Sequence, residues 1–207
     1  MNQRFSFKNP PPGRWGLYGG TFDPIHQGHL YAARRVMEAL SLSGVVFMPS
    51  GDPPHKLGQV STPASQRLEM VRLAIENESD FYYTDYELLR PGPNFSYLTC
   101  EELSSKLPMG TEMVFIIGGD SLIKLPNWRY PERVIRAMPL AVVYRPGISM
   151  EAMEKSRQAL GPRRITLVPC EGLEASSTDI RAGNLSQVPA SVVNYICQRR
   201  LYGYEPR

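Results

Sequence analysis

Two of the three histidines in the chain follow a pair of glycines, in the stretch GGTFDPIHQGHL at residues 19–30. Gly19 and Gly20 let the backbone turn tightly and approach a ligand without an intervening side chain. The amide groups of such a turn, and of a helix that begins after it, form a site for an anion. His26 and His29 lie three residues apart at the predicted helix start, so they share one face. This pattern is typical of phosphate chemistry, in which imidazoles donate hydrogen bonds to a polyphosphate.

The residues alone leave two other interpretations of these histidines open. They could simply cap or pack a plain turn between a strand and a helix. H-x-x-H can also supply two zinc ligands, but no cluster of Cys or Glu with suitable spacing follows, which disfavours zinc. Gly28, between the histidines, removes a side chain that would otherwise crowd a ligand on their face.

Two further segments follow predicted strands and contain groups suited to phosphate. Lys56, in the loop PSGDPPHK at residues 49–56, is a compact positive charge, although such a loop can also be merely solvated. Residues 176–181, SSTDIR, place hydroxyls at a predicted helix start and Arg181 one turn later, which together can hold a polyphosphate. The same segment could be only a helix cap with a surface arginine. Asp120, after Gly118-Gly119, could likewise cap the next helix.

These segments together resemble one family. The histidine stretch resembles the (H/T)-x-G-H signature of the nucleotidyltransferase superfamily, and it is similar to bacterial nicotinate-nucleotide adenylyltransferases. Eukaryotic relatives and phosphopantetheine adenylyltransferases usually have threonine in place of His26. The loop at 49–56 resembles P-x-G-x-P-P-H-K, and residues 175–181 resemble I-S-S-T-x-I-R with Ala175 in place of isoleucine. The resemblance runs from about Trp15 to Tyr202.

The resemblance implies adenylyl transfer from ATP, accompanied by Mg²⁺, to nicotinate mononucleotide. It implies catalytic roles for His26, His29 and Arg181. The implied ATP contacts are Gly19, Gly20, Thr21, Phe22, Gly28, Gly118, Asp120, Ser177 and Thr178. The implied contacts to nicotinate mononucleotide are His55, Lys56, Ser96 and Trp128. Trp128 would stack on the pyridine ring, although a tryptophan is more often a core residue. No protein side chains are implied as ligands of a resident metal.

The elements that position these residues alternate between strands and helices. Continuous apolar runs at 15–18, 45–48, 113–117, 140–144 and 165–168 predict strands buried on both faces, and residues 81–88 predict a further strand. Helices are predicted from residue 28 onward, after Thr62-Pro63, at 98–107, and at 178–182 and 190–199. The alternation predicts a single-domain, doubly wound parallel sheet of Rossmann-like type with a small C-terminal helical portion. Ligands of such sheets bind beyond the carboxyl ends of the strands.

Composition restricts the class of protein. The chain of 207 residues is 42% apolar and 21% charged, with a net charge of +3. This charge is too small to predict a nucleic-acid partner, and no apolar run approaches the roughly 20 residues that cross a bilayer. Three scattered cysteines favour a reducing cytoplasm. Residues 1–13 predict a flexible Pro-rich leader, and 14–207 the nucleotidyltransferase domain; a homo-oligomer is compatible with the sequence.

The hypothesis from the sequence is therefore adenylyl transfer from ATP to nicotinate mononucleotide, a step of NAD biosynthesis. Two alternatives stay open. Nicotinamide mononucleotide or another small phosphate could be the acceptor, because the first differs from nicotinate mononucleotide only by an amide in place of a carboxylate. A nucleotide-binding regulatory protein without turnover is the second alternative.

Overall fold

A computed structural model describes residues 3–51, 62–171 and 175–205. The strands are β1 (Gly13–Gly20), β2 (Gly44–Pro49), β3 (Phe81–Tyr83), β4 (Thr111–Gly118), β5 (Leu140–Tyr144) and β6 (Ile165–Pro169). The helices are α1 (Gln27–Leu40), α2 (Ala64–Ala74), α3 (Ser96–Lys106), α4 (Gly119–Lys124), α5 (Pro131–Ala137), α6 (Met150–Leu160), α7 (Ser177–Arg181) and α8 (Ala190–Gln198). Short 3-10 turns lie at Leu125–Asn127, Pro162–Arg164 and Leu201–Gly203.

The six strands form one parallel sheet in the order β3-β2-β1-β4-β5-β6. The chain first builds outward from β1 to β3 and then returns to place β4 on the other side of β1. The strand order therefore reverses between β1 and β4, which is where ligands of open α/β sheets bind. The predicted doubly wound parallel sheet is confirmed.

Continuous apolar runs in the strands supply a core on both faces of the sheet. In β2, Val45 and Phe47 pack on one face and Val46 and Met48 on the other, and all four are at most 2% exposed. Helices α1, α2, α7 and α8 contribute buried residues to the first face, and α3 to α6 contribute to the second. This two-sided burial is why the strands lack the polar alternation of a half-exposed sheet.

The segment before β1 differs from the predicted flexible leader. Residues 3–5 pair with the edge strand β3: the Phe5 N–H donates to the Tyr83 carbonyl at 2.9 Å, and the Tyr83 N–H donates to the Gln3 carbonyl at 3.0 Å. Phe5 and Phe7 are buried, with the Phe5 ring 5.0 Å from the ring of Trp15. The two phenylalanines supply the apolar area that holds the segment in place despite the prolines after it.

The predicted strand at 81–88 is also shorter in the structure. The Thr84 N–H still donates to the Phe47 carbonyl, but the Asp85 carbonyl then accepts from the Leu88 N–H at 2.9 Å. That bond closes a turn, so β3 ends at Tyr83. The turn brings Glu87 back toward the carboxyl end of β2, where it contacts Gly51.

Candidate active site

A groove of three adjoining compartments lies at the carboxyl ends of β1, β4 and their neighbours. The first compartment, about 250 Å³, is lined from α1, β4, β5 and the loops after β5 and β6. The middle compartment, about 360 Å³, is lined by residues 18–23 together with α7. The third, about 130 Å³, lies over β2 and β4 beside Trp128. Tyr18, His29, Gly118 and Ser177 line the first two, while Gly19, Gly20 and Thr21 line the middle and third.

The turn after β1 forms the wall between the middle and third compartments. A Cβ atom on Gly20 would lie 2.7 Å from the Phe22 ring, so only glycine fits beside that ring. Phe22 is 2% exposed and adopts a left-handed backbone with φ +50°. Its ring packs edge-on against Tyr18 at 5.5 Å and against His29 at 5.0 Å. This packing holds the turn so that its backbone, rather than its side chains, faces much of the groove.

The two histidines form a stacked pair at the start of α1. Their ring centroids are 3.7 Å apart, and the His26 backbone N–H donates to Nδ1 of His29 at 3.2 Å. A nitrogen that accepts this bond has no proton of its own, so neutral His29 has its proton on Nε2. His29 lines both the first and the middle compartments. It can therefore offer an Nε2–H donor to a ligand there.

His26 is held in the neutral form. Burial and, to a smaller extent, the positive charge of Arg145 together lower its pKa from 6.5 to about 4. Nδ1 of His26 is buried and has no hydrogen-bond partner among the described residues. A Cβ atom on Gly28 would lie 3.0 Å from that nitrogen and 3.2 Å from the Cβ atom of Ala175. Gly28 thus leaves the space that the His26 ring occupies.

The α7 helix closes the middle compartment from the C-terminal part of the chain. Ser176 caps this helix, because its Oγ accepts from the Thr178 N–H at 3.2 Å. The Ser177 hydroxyl donates to the Pro24 carbonyl at 3.0 Å. Arg181 donates from Nη1 to the Asp23 carbonyl at 2.7 Å and from Nη2 to Thr178 Oγ1 at 3.4 Å. The guanidinium is therefore fixed at the wall of the middle compartment.

Asp23 receives a second support from the end of the chain. The Tyr202 hydroxyl donates to Asp23 Oδ1 at 2.6 Å, and Asp23 is 5% exposed. Burial, followed by this bond to Asp23, raises the pKa of Tyr202. The side-chain carboxylate of Asp23 is thus bonded to Tyr202, while the backbone carbonyl of Asp23 accepts a hydrogen bond from Arg181, and both bonds hold the turn in place.

The third compartment has a buried carboxylate at its base. Glu87 accepts hydrogen bonds from Thr99 Oγ1 at 3.0 Å and from the Gly51 N–H at 3.3 Å. Burial raises the pKa of this carboxyl above its ordinary value. Asn94 donates from Nδ2 to the Glu87 carbonyl at 3.2 Å. Trp128 lines the same compartment and is half-buried, so it contacts both the core and the open space.

The model for the "Cytidylyltransferase-like" family matches residues 17–183. The chain belongs to this family. A probable nicotinate-nucleotide adenylyltransferase of Symbiobacterium thermophilum is 41% identical over 91% of this chain and 95% of the relative. One from Thermomicrobium roseum is 38% identical over 91% of each chain. A solved structure titled Plasmodium falciparum nicotinic acid mononucleotide adenylyltransferase complexed with APC has a TM-score of 0.72 at 17% identity, covering 94% of this chain and 100% of its own. At that identity the likeness shows the shared fold.

The groove of this cytidylyltransferase-like protein brings together the described residues that the sequence predicts for a site. The first compartment includes His26, Gly28, Gly118 and Asp120; the middle one includes Gly19, Gly20, Thr21, Phe22, His29, Ser177, Thr178 and Arg181. Ser96 and Trp128 line the third. Asp120 lies in the first turn of α4 with its side chain exposed and makes no cap, since Gly118 precedes the helix. His55 and Lys56 lie outside the described residues.

Several residues of the groove in this cytidylyltransferase-like protein were not predicted. Arg145 and Ile148 line the first compartment, and Ser50, Glu87 and Asn94 line the third. Arg145 directly follows β5, so the rule that ligands bind beyond strand ends could have indicated it. Glu87 lies in a turn within the stretch that the sequence predicts as a strand, and Asn94 lies in the loop before α3, so the sequence pattern gave neither residue a role.

The structure of this cytidylyltransferase-like protein also bears on metals and membranes. Across the described part of the chain, no three His, Cys, Asp or Glu side chains come together as ligands of one metal ion. None of the helices within residues 3–51, 62–171 and 175–205 is long and apolar enough to cross a membrane.

Proposed function

We propose that the protein transfers the AMP part of ATP to nicotinate mononucleotide, giving nicotinate adenine dinucleotide (deamido-NAD) and pyrophosphate. The observation that supports this most directly is the groove itself. Its middle compartment is lined by a glycine turn, a histidine and an arginine, and it adjoins a smaller compartment on each side. A dinucleotide product has the same order of parts: a base and ribose, a pair of phosphates, and a second base and ribose.

In this proposal the adenosine part of ATP occupies the first compartment, beside Gly118, Asp120 and Arg145. The ATP phosphates occupy the middle compartment. The mononucleotide occupies the third, where Trp128 stacks on the pyridine ring and Ser96 supplies a hydroxyl. His55 and Lys56, outside the described residues, would contact the mononucleotide's phosphate.

The chemistry requires positioning more than proton transfer. An oxygen of the mononucleotide's phosphate attacks the α-phosphorus of ATP, the bond from that phosphorus to the bridging oxygen breaks, and pyrophosphate leaves with the electron pair. The attacking oxygen is already an anion, so no base is needed. The barrier lies in bringing anions together and in the charge that passes to pyrophosphate. His29, with its proton on Nε2, and Arg181 would stabilise that charge, with the hydroxyls of Ser177 and Thr178 beside them.

Neutral His26 contributes without adding charge. Its pKa of about 4 keeps it unprotonated near neutral pH. A neutral imidazole can donate one hydrogen bond to a phosphate oxygen and also support the stacked His29 ring. Because its charge state does not change between pH 6 and 9, its contribution should be constant over that range.

Mg²⁺ is proposed as the ion that accompanies ATP. Mg²⁺ usually keeps several waters and binds through substrate phosphates with one or two carboxylates. Asp23 Oδ1 is already bonded to Tyr202, and Asp120 is an exposed carboxylate at the groove. These residues fit a Mg²⁺ ion that is held mostly by phosphate oxygens and water. Such an ion would neutralise negative charge on the ATP oxygens.

The test is pyrophosphate release by the purified protein with ATP, Mg²⁺ and either nicotinate or nicotinamide mononucleotide. We expect faster release with the nicotinate form, together with a dinucleotide product. Faster release with the nicotinamide form would make nicotinamide mononucleotide the preferred acceptor. Release only with other phosphate compounds would exclude both mononucleotides as acceptors. ATP binding without release for any acceptor would favour the regulatory alternative and refute the proposal.

A further inference from the structure

A buried arginine outside the groove contacts the backbone of three of the segments that surround it. Arg67 lies in α2 and is 2% exposed. Its Nη1 donates to the Thr21 carbonyl at 2.6 Å, and its Nη2 donates to the Ser50 carbonyl at 2.7 Å and more weakly to the Gly51 carbonyl at 3.4 Å. Its Nε donates to the Thr62 carbonyl at 3.1 Å. One side chain therefore joins segments that are far apart in sequence.

The carbonyls that Arg67 binds come from both sides of the proposed reaction. Thr21 belongs to the turn after β1 that separates the middle and third compartments. Ser50 follows β2 and lines the third compartment. Thr62 and Gly51 flank residues 52–61, the stretch that contains His55 and Lys56 in the sequence. Arg67 thus links the phosphate turn to both ends of the stretch predicted to contact the mononucleotide.

Two other contacts make this link more rigid. The Ser50 N–H donates to the Gly20 carbonyl at 2.8 Å, so the ends of β1 and β2 are joined directly as well. The Gly51 N–H donates to Glu87, and a Cβ atom on Gly51 would lie 2.3 Å from Asn94 Nδ2 and 2.6 Å from the Glu87 carbonyl oxygen. Gly51 is therefore confined from both sides, by Arg67 at its carbonyl and by Glu87 at its amide.

The position suits arginine in particular. A guanidinium offers five N–H donors in a rigid plane, whereas a lysine offers three from a single point. Burying a charge is costly even when it is hydrogen-bonded, and apolar side chains of similar volume often stabilise a fold better. A charge kept here, bonded to four carbonyls at the rim of a groove, is better explained by the placement of those carbonyls than by stability.

We propose that Arg67 is a positioning residue for adenylyl transfer, which sets the distance between the phosphate turn and the acceptor compartment. This inference rests on the proposed function. Arg67 does not line the groove and need not touch either substrate. Its removal should therefore misalign two bound substrates rather than abolish the binding of ATP, whose adenosine part would be held by the first compartment.

The test compares Arg67→Met and Arg67→Lys with Val192→Ala as the matched control. Val192 is fully buried in α8, which packs against α2, so its truncation loosens the same helix without touching the carbonyls. A misplacement of about 1 Å typically costs ~10² in rate. We expect kcat to fall ~10²-fold in Arg67→Met and ~10-fold in Arg67→Lys, with the KM for ATP within about threefold of the parent. Val192→Ala, at a comparable loss in Tm, should keep a kcat within about threefold.

A second measurement does not depend on activity. Amide hydrogen exchange of the folded protein reports on local opening. The variant for this measurement is Arg67→Lys, which keeps the positive charge and can be used even if Arg67→Met does not fold. In Arg67→Lys, exchange at Ser50 and Gly51 should accelerate, while exchange in β4 should stay as in the parent. If the unsubstituted protein had no adenylyl-transfer activity, the proposed function would be refuted. The exchange result would then decide alone whether Arg67 positions these segments.

Two results would overturn the inference. One is unchanged exchange at Ser50 and Gly51 in Arg67→Lys. The other is a kcat loss in Val192→Ala equal to that in Arg67→Met, because a general loosening of α2 would then explain both variants.

Discussion

Gly28→Ala separates the rate of the reaction from the stability of the fold. Gly28 is the second residue of α1 and lies between the His26 ring and Ala175. The added methyl group would be 3.0 Å from His26 Nδ1, 3.1 Å from Cε1 of the same ring and 3.2 Å from the Ala175 Cβ atom. Carbon contacts at their optimum are about 3.5–4.0 Å, so the neighbours must move by a few tenths of an ångström.

The movement falls mainly on the His26 ring, because two of the three contacts are with that ring. The ring is backed by His29 at a centroid distance of 3.7 Å, so its displacement is passed on to the second histidine. If a misplacement of 1 Å costs ~10² in rate, a displacement of about 0.3–0.5 Å should lower kcat by roughly 3–10-fold. Alanine in place of glycine favours a helix by up to about 1 kcal/mol, which offsets the crowding. The unfolding free energy should therefore change by less than about 1 kcal/mol.

The assay is steady-state pyrophosphate release at saturating substrates, with unfolding in urea for stability. The matched control adds Ala175→Gly to Gly28→Ala, which removes one of the crowding atoms and lets the new methyl group move away from His26. Recovery of at least half of the lost kcat in the double variant would support ring displacement. A Gly28→Ala protein with kcat within about twofold of the parent would refute the reasoning, because His26 would then tolerate the shift.

Three further outcomes follow from the site and the core. His29→Ala should lower kcat by ~10²–10³ with unchanged circular dichroism, since it removes a donor to developing charge; a loss of only a few-fold would exclude that role. Because the pKa of His26 is about 4 folded and 6.5 unfolded, the unfolded chain binds the proton first as pH falls. The unfolding free energy should thus be fully retained above pH 6.5 and fall by up to about 3 kcal/mol toward pH 4. In denaturant titrations His26→Gln should flatten this fall, and an equal slope in both proteins would contradict the assignment. Phe5→Ala should lower the unfolding free energy by about 3 kcal/mol, measured in urea, while Lys8→Ala, at an exposed position of the same segment, should leave it unchanged. Equal effects of these two substitutions would show that the segment is not packed in solution.

The strands and the phosphate turn were predictable from sequence because their signals are local. Four consecutive apolar residues at Val45–Met48 leave no exposed face, and a parallel sheet covered on both sides is the ordinary result. Gly19 and Gly20, followed by His26 and His29, mark a tight turn into a helix. This turn follows the carboxyl end of a strand, which is where ligands of such sheets bind. Both features depend on neighbours within a few residues.

The remaining parts depend on partners that are distant in sequence. Phe5 is covered because Trp15 and Tyr82 are beside it, whereas the sequence around it shows mainly prolines and polar residues. Helix α6 buries Met153 and Ser156 and is polar along most of its length, so few apolar residues mark it in the sequence. Arg67 resembles any surface arginine of a helix until the carbonyls that surround it are known.

The bonds that join Asp23 to Arg181 and Tyr202 span 158 and 179 residues of the chain. Such long-range contacts form late, because the entropy of closing a large loop must be overcome before they contribute. During synthesis on the ribosome, the N-terminal strands and α1 emerge well before α7 and Tyr202 exist. A nascent chain can therefore present its paired histidines while the middle compartment still lacks a wall. Competence for turnover should arise only after the segment with Arg181 and Tyr202 has been made and has bonded to Asp23 in the turn after β1.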